Sequence, residues 1–180
     1  MTAYISTGGF NRIPAYKSVR KLINYGAKNI ELSGGIYCSE NLKKLKSQKQ
    51  KINFQIHNYF PPPKIPFVFN LASQNPLIAA RSLKHVETAI RNCKEIGSDY
   101  YSFHAGFLCD IEIDELGKVV KKKKLFDRRK SINIFIKRIS KLAALAKKNK
   151  VTLLVENNVL SKKNLKEFNA NPFLMCEPIE

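Results

Sequence analysis

The stretch that decides the fold is VTLLVENN, residues 151–158, which follows a long Lys-rich segment with helical spacing. Five apolar or β-branched residues run straight into a carboxylate and two amides. Such a run reads as a buried strand of a parallel sheet whose polar end emerges at a site. In alternation, Val151, Leu153 and Val155 face one way, and Thr152, Leu154 and Glu156 the other. Glutamate is almost never fully buried without a partner, so Glu156 at a strand end calls for a reason. Two earlier stretches end in similar chemistry. INFQIHN, residues 52–58, closes on His57 and Asn58, and SDYYSFHAG, residues 98–106, closes on His104, Ala105 and Gly106.

Working outward, strands are expected over residues 3–7, 29–33, 52–57, 99–104 and 151–158. Helices are expected between them, over residues 14–25, 39–48, 75–96 and 131–148. Pro14 opens the first helix and Gly26 closes it, Ser39 caps the second, and Gly97 ends the third. The core stripes read as Val19, Leu22 and Ile23; Leu42 and Leu45; Leu83, Val86 and Ile90; and Ile132, Phe135, Ile136, Ile139, Leu142 and Leu145. Residues 161–180 read as loop, with a helix beginning at Glu177-Pro178. Alternation of this kind predicts a parallel sheet covered by helices. One strand face carries Ile30, Leu32, Phe54, Ile56, Tyr101 and Phe103. The opposite face carries Asn29, Glu31, Asn53, Gln55, Tyr100, Ser102 and Thr152, too polar for a doubly wound sheet. A barrel with a polar interior mouth fits better. The phosphate-binding signatures G-x-G-x-x-G and G-x-x-x-x-G-K-[ST] are absent.

Length and composition suit a single globular domain spanning residues 1–180, with 44% apolar and 10% aromatic residues. No apolar run reaches membrane-spanning length, and the N-terminus lacks the features of a signal peptide. The four cysteines, Cys38, Cys93, Cys109 and Cys176, form no C-x-x-C pair and read as reduced thiols, which places the protein in the cytoplasm. A net charge of +18 would attract nucleic acid, an anionic membrane or a phosphorylated substrate. The lysines are nevertheless spread over helix surfaces, where solvated faces explain most of them. Lys121 to Lys124 and Arg128 to Lys130 fall in one strand-to-helix loop, read as flexible and solvated, with phosphate binding as the alternative. His85, between Arg81 and Lys84 on a helix, reads as a surface residue. Cys109, five residues past His104, is the weakest candidate ligand.

The strand endings QIHNYFPPP, YSFHAGF and LLVENN, in that order, resemble those of the xylose-isomerase-like TIM barrels. That superfamily holds sugar isomerases, sugar epimerases and AP endonucleases of the endonuclease IV type. The resemblance implies an α/β, TIM-type (β/α) barrel. The chain supplies the N-terminal five β/α units of an expected eight, so a truncated, partial barrel is expected. It also implies a divalent metal (manganese, zinc, cobalt or magnesium) at the C-terminal mouth, with His57, His104 and Glu156 in the metal-site positions of the endonuclease-like branch. In the sugar branch the shared ligand is Glu156, and the histidines line the substrate pocket. Two imidazoles and a carboxylate suit zinc, manganese or iron better than calcium.

Glu156 followed by Asn157-Asn158-Val159, rather than by small residues and glycines, shifts weight toward the sugar branch. The leading expectation is therefore a metal-dependent sugar or sugar-phosphate isomerase or epimerase, with Glu156, His104 and His57 at its centre. Glu31, Asn58 and Asn157 are its candidate substrate contacts. The alternatives are a zinc-dependent AP endonuclease acting on DNA and an inactive partial barrel. A homo-oligomer is compatible with each reading, and no membrane partner is expected.

Overall fold

The computed structural model describes residues 3–10 and 12–176. The helix expected at Glu177-Pro178 lies outside the described residues. Strands β1 (Ile5–Ser6), β2 (Asn29–Leu32), β3 (Asn53–His57), β4 (Tyr100–His104) and β5 (Thr152–Glu156) form one five-stranded sheet in sequence order. Pairing is parallel from β1 to β4, with Ile30 opposite Phe54 and His57 opposite Ser102. Between β4 and β5, the Thr152 N–H donates to the Asp99 carbonyl at 2.8 Å and the Ala105 N–H to the Glu156 carbonyl at 2.9 Å. Parallel neighbours in sequence order require a crossover after each strand. The crossovers hold α1 (Ala15–Asn24), α2 (Asn41–Lys46), α3 (Pro76–Ile96) and α4 (Arg128–Lys148). Among the described residues no helix is long and apolar enough to cross a membrane.

The alternation read from sequence sorts the faces correctly. Ile30, Leu32, Phe54, Ile56, Tyr101 and Phe103 are all buried, whereas Tyr100 and Thr152 on the opposite face are exposed. Ser102 is the exception on that face, buried because its hydroxyl meets His57. Two compact units can be distinguished, residues 1–65, 86–103 and 143–154, and residues 66–85, 104–142 and 155–180. The first holds the apolar strand faces named above, with Val19 and Leu22 of α1, Leu45 of α2, and Val86 and Ile90 of α3 also buried. Gly26 and Gly97 take φ of 84° and 74° just past α1 and α3, the left-handed ending that glycine allows at no steric cost. The second unit is built on Val68, Cys109, Ile111, Val120, Phe168 and Phe173, with Phe107, Leu125 and Leu160 packed against them.

Several expectations are corrected. Residues 161–180 are not all loop, because α5 (Lys162–Phe168) begins where the Ser161 hydroxyl accepts the Asn164 N–H and ends at Asn169 in the left-handed region. Helix α4 starts at Arg128 rather than residue 131, since an Asp127 carboxylate oxygen accepts the Lys130 N–H at 2.7 Å. Ser39 does not cap α2, whose N-cap is Glu40 without a side-chain bond. Ile136, read as part of the core stripe of α4, is exposed, while Phe135 and Leu142 of that stripe are buried. His85 is buried at 7% exposure, its ring against Phe69 at 5.3 Å and edge-on to Phe67. Strand β5 is not the buried strand its apolar run suggests, since Leu154 is 40% exposed. It stands last in the strand order, and among the described residues β4 is the one strand that flanks it.

In the Lys-rich loop Lys121, Lys122 and Lys124 are exposed, as in a solvated run, and Lys123 is the exception. Lys123 donates to the buried Glu115 carboxylate at 2.6 Å and to the Asp110 carbonyl at 2.9 Å. Glu115 further accepts the N–H groups of Glu112 and Lys121. Burial by itself would raise the Glu115 pKa, but the Lys123 ammonium and the two backbone donors bring it down to about 2.

Candidate functional site

Parallel pairing places the C-terminal ends of β3, β4 and β5 side by side, and with them His57, His104 and Glu156. One ligand-capable atom from each of the three lies within 4.8 Å of the other two. Nδ1 of His104 is 3.8 Å from Oε2 of Glu156, and both side chains are partly exposed. That distance exceeds a hydrogen bond, so the two groups face one another without locking together.

His57 is held at both ring nitrogens. Its Nδ1 lies 2.8 Å from the Ser102 hydroxyl, the residue opposite it on β4. Its Nε2 lies 2.6 Å from Nδ2 of Asn58. Asn58 has φ of 44°, a left-handed conformation that asparagine tolerates better than most residues. Its backbone N–H donates to the Ser102 carbonyl at 2.9 Å, and its carbonyl accepts the Tyr101 hydroxyl at 2.9 Å.

The segment after His104 is fixed by two buried amides. Asn158 Nδ2 donates to the carbonyls of Ala105 and Leu174 at 2.7 and 2.9 Å, with Gly106 at 3.2 Å. Asn70 Oδ1 accepts the N–H groups of Ala72 and Phe107, while its Nδ2 donates to the Phe107 carbonyl and to Asp110. Gly106 sits where a Cβ would come within 2.5 Å of the Ala72 Cβ and 2.8 Å of Asn70 Oδ1. Only glycine permits that approach.

Of the residues singled out from sequence, His57, His104 and Glu156 come together, and Asn58 reaches the group through His57. Glu31 is half-buried on β2 between Ser6 and Gln55 and is not a member of the ligand trio. Asn157 is exposed, and it is its neighbour Asn158 that is buried and bonded. Cys109 is packed in the second unit's core, its thiol pushed up to about 11 chiefly by burial, and does not join the trio. Sequence reasoning passed over Ser102, Tyr101, Asn70 and Asn158. Alternation along β4 does place Ser102 on the His57 face, but the two loop amides carry no local signal.

No curated protein matches the chain in sequence. Among solved structures it is similar to L-ribulose 3-epimerase, at 17% identity and TM-score 0.60 over 85% of this chain and 48% of that one. It is similar also to D-psicose 3-epimerase from Clostridium cellulolyticum, solved with D-tagatose, at 13% identity and TM-score 0.61 over 94% and 56%. A third is a Thermus thermophilus protein, TTHB071, soaked with ZnCl2, at 16% identity and TM-score 0.51 over 82% and 55%. These likenesses are of fold, and this chain spans about half the length of each. The sequence pattern of one family, described as xylose isomerase-like TIM barrel, matches residues 19–163. With an α/β architecture, a parallel sheet in sequence order and that match over most of its length, the chain belongs to the xylose isomerase-like TIM barrel family.

Proposed function

We propose that this chain carries the site of a metal-dependent sugar or sugar-phosphate isomerase or epimerase, centred on His57, His104 and Glu156. The observation that carries the reading is the convergence of two imidazoles and a carboxylate, one donor atom of each within 4.8 Å of the others. They meet at C-terminal strand ends, where barrel enzymes place their chemistry. The donor set fits a borderline divalent ion such as zinc or manganese better than calcium, which prefers an all-oxygen shell. The names of the similar folds, L-ribulose 3-epimerase and D-psicose 3-epimerase, point to the same substrate class. Residues 1–180 are taken as one partial barrel domain.

A bound divalent ion would polarise a sugar carbonyl and its neighbouring hydroxyl, making the hydrogen on the adjacent carbon acidic. The chain's own groups supply the rest. Glu156 serves as ligand or as the carboxylate that takes and returns a proton. His57 and His104 ligate or orient substrate oxygens. The amides of Asn58 and Asn157 and the carboxylate of Glu31 are suited to sugar hydroxyls. A second reading, a zinc-dependent AP endonuclease acting on DNA, is favoured by two observations. Both histidines, and not Glu156 alone, join the trio, and the chain carries a net charge of +18.

A panel of aldoses, ketoses and their phosphates, assayed with added manganese, tests the first reading. Nicking of abasic duplex DNA at low salt, run alongside with zinc, tests the second. Interconversion abolished by a chelator and by Glu156→Gln supports the sugar reading. Nicking without interconversion replaces it, and inactivity in both assays removes both.

A further inference from the structure

We propose that Tyr101 is a positioning residue for His57: its hydroxyl holds Asn58 in a left-handed turn that lays the Asn58 amide on Nε2 of His57. The amide keeps that nitrogen unprotonated and covered until a metal ion or substrate displaces it. The inference rests on the reading of His57 as a ligand or substrate contact.

Four residues of β3, its exit and β4 make the device. Tyr101 is fully buried, its ring 5.2 Å from that of Phe103. Burial, first among the causes, pushes its phenol well above the ordinary tyrosine range, so the hydroxyl remains a donor. It donates to the Asn58 carbonyl at 2.9 Å, while the Asn58 N–H reaches the Ser102 carbonyl at 2.9 Å. Two bonds, one on each side of the Asn58 α-carbon, thus fix a residue whose φ of 44° is not a low-energy default. With the backbone so fixed, Nδ2 of Asn58 rests 2.6 Å from Nε2 of His57.

An amide N–H can only donate, so the facing Nε2 carries its lone pair, and the ring proton sits on Nδ1. There it meets the Ser102 hydroxyl at 2.8 Å. This is the outer-shell arrangement that sets the tautomer of a ligating histidine. With the ring proton on Nδ1, the lone pair left for a metal ion is the one on Nε2, which the amide already occupies. Ligation at Nε2 therefore requires the Asn58 side chain to swing away, while its backbone stays where Tyr101 and Ser102 hold it.

The test uses the whole chain, first without metal. In 15N-resolved NMR the parent should show His57 protonated at Nδ1 and bare at Nε2. Tyr101→Phe keeps the buried ring and removes the hydroxyl; the His57 signals should then report a mixture of tautomers. Zinc or manganese affinity, measured by calorimetry, should rise in the same variant, because the amide that covers Nε2 is no longer held there. Asn58→Gly keeps the left-handed turn at no steric cost and removes the cover. It should raise metal affinity by about two- to tenfold, the worth of one hydrogen bond no longer broken.

A parent protonated at Nε2, or a tautomer unmoved in Tyr101→Phe, overturns the positioning role; a drop in melting temperature without a tautomer change also counts against it. An affinity unchanged or lowered in Asn58→Gly overturns the cover. A parent that binds no metal overturns the functional reading and the cover with it, whereas the tautomer of the metal-free protein judges Tyr101 independently.

Discussion

Oε2 of Glu156 stands 3.8 Å from Nδ1 of His104, with the peptide after His104 bonded back to the Glu156 carbonyl through the Ala105 N–H. The backbones are tied together by that hydrogen bond, while the two side chains face one another at ion-pair distance. Glu156→Gln preserves size and removes the charge. Calorimetric titration with zinc or manganese should show at least a tenfold weaker affinity for this variant and for His104→Ala, since the loss of even an outer partner costs about that much. Unchanged binding in both would place the metal elsewhere.

The Glu115–Lys123 pair makes a pH prediction. With a folded-state pKa of about 2 against an unfolded value near 4.5, Glu115 is a depressed carboxylate. Its contribution is fully present above the unfolded value and is lost as pH falls toward about 2. That contribution is about 3 kcal/mol at neutral pH by linkage. Lys123→Met should lower urea-unfolding stability at pH 7 by up to about 3 kcal/mol, because it leaves a buried carboxylate with its two backbone donors and no counter-charge. The difference between variant and parent should shrink as the pH is taken below 4; a constant difference would mean the pair is not the cause.

Gly106→Ala probes the tight passage behind His104. The added Cβ would come within 2.5 Å of Ala72 and 2.8 Å of Asn70 Oδ1. Both neighbours are buried, so relief requires backbone movement and a cost of about 1–3 kcal/mol. Thermal unfolding should register the loss, and metal affinity should fall with it because the displaced peptide follows His104 directly. Alanine tolerated in both measurements would mean the loop is not held as described.

The thiols should divide by burial. Cys93 is buried and its thiol pushed up to about 12, chiefly by burial, and Cys109 up to about 11. Cys38 and Cys176 are partly exposed. A thiol-reactive disulfide reagent at pH 8 should therefore label Cys38 and Cys176 quickly in the native protein and reach the other pair only in denaturant. Prompt labelling of Cys93 would contradict its packing.

How much of this was legible in the residues themselves follows from the range of the forces involved. Period-two alternation in INFQIH and DYYSFH fixes which side chains a helix-covered face must take up, because pleating is a property of neighbouring residues along one strand. Phe54, Ile56, Tyr101 and Phe103 are accordingly buried as expected. The same alternation put His57, His104 and Glu156 in one phase, and the parallel order of the strands then brought them together.

Local signals were also present but unread at Ser161 and Asp127, whose side chains cap α5 and α4. What sequence could not decide are contacts between residues far apart in the chain. His85 looks polar beside Arg81 and Lys84, yet Phe67 and Phe69 cover its ring. Asn157 and Asn158 are chemically identical, and only the approach of Ala105 and Leu174 makes the second the structural one. Strand β5 reads as buried because its apolar run is local, whereas its exposure depends on which strands flank it. Periodicity is thus a one-strand property that the sequence carries whole. Burial and hydrogen-bond partnership depend on what the rest of the chain brings alongside, and only the tertiary structure decides them.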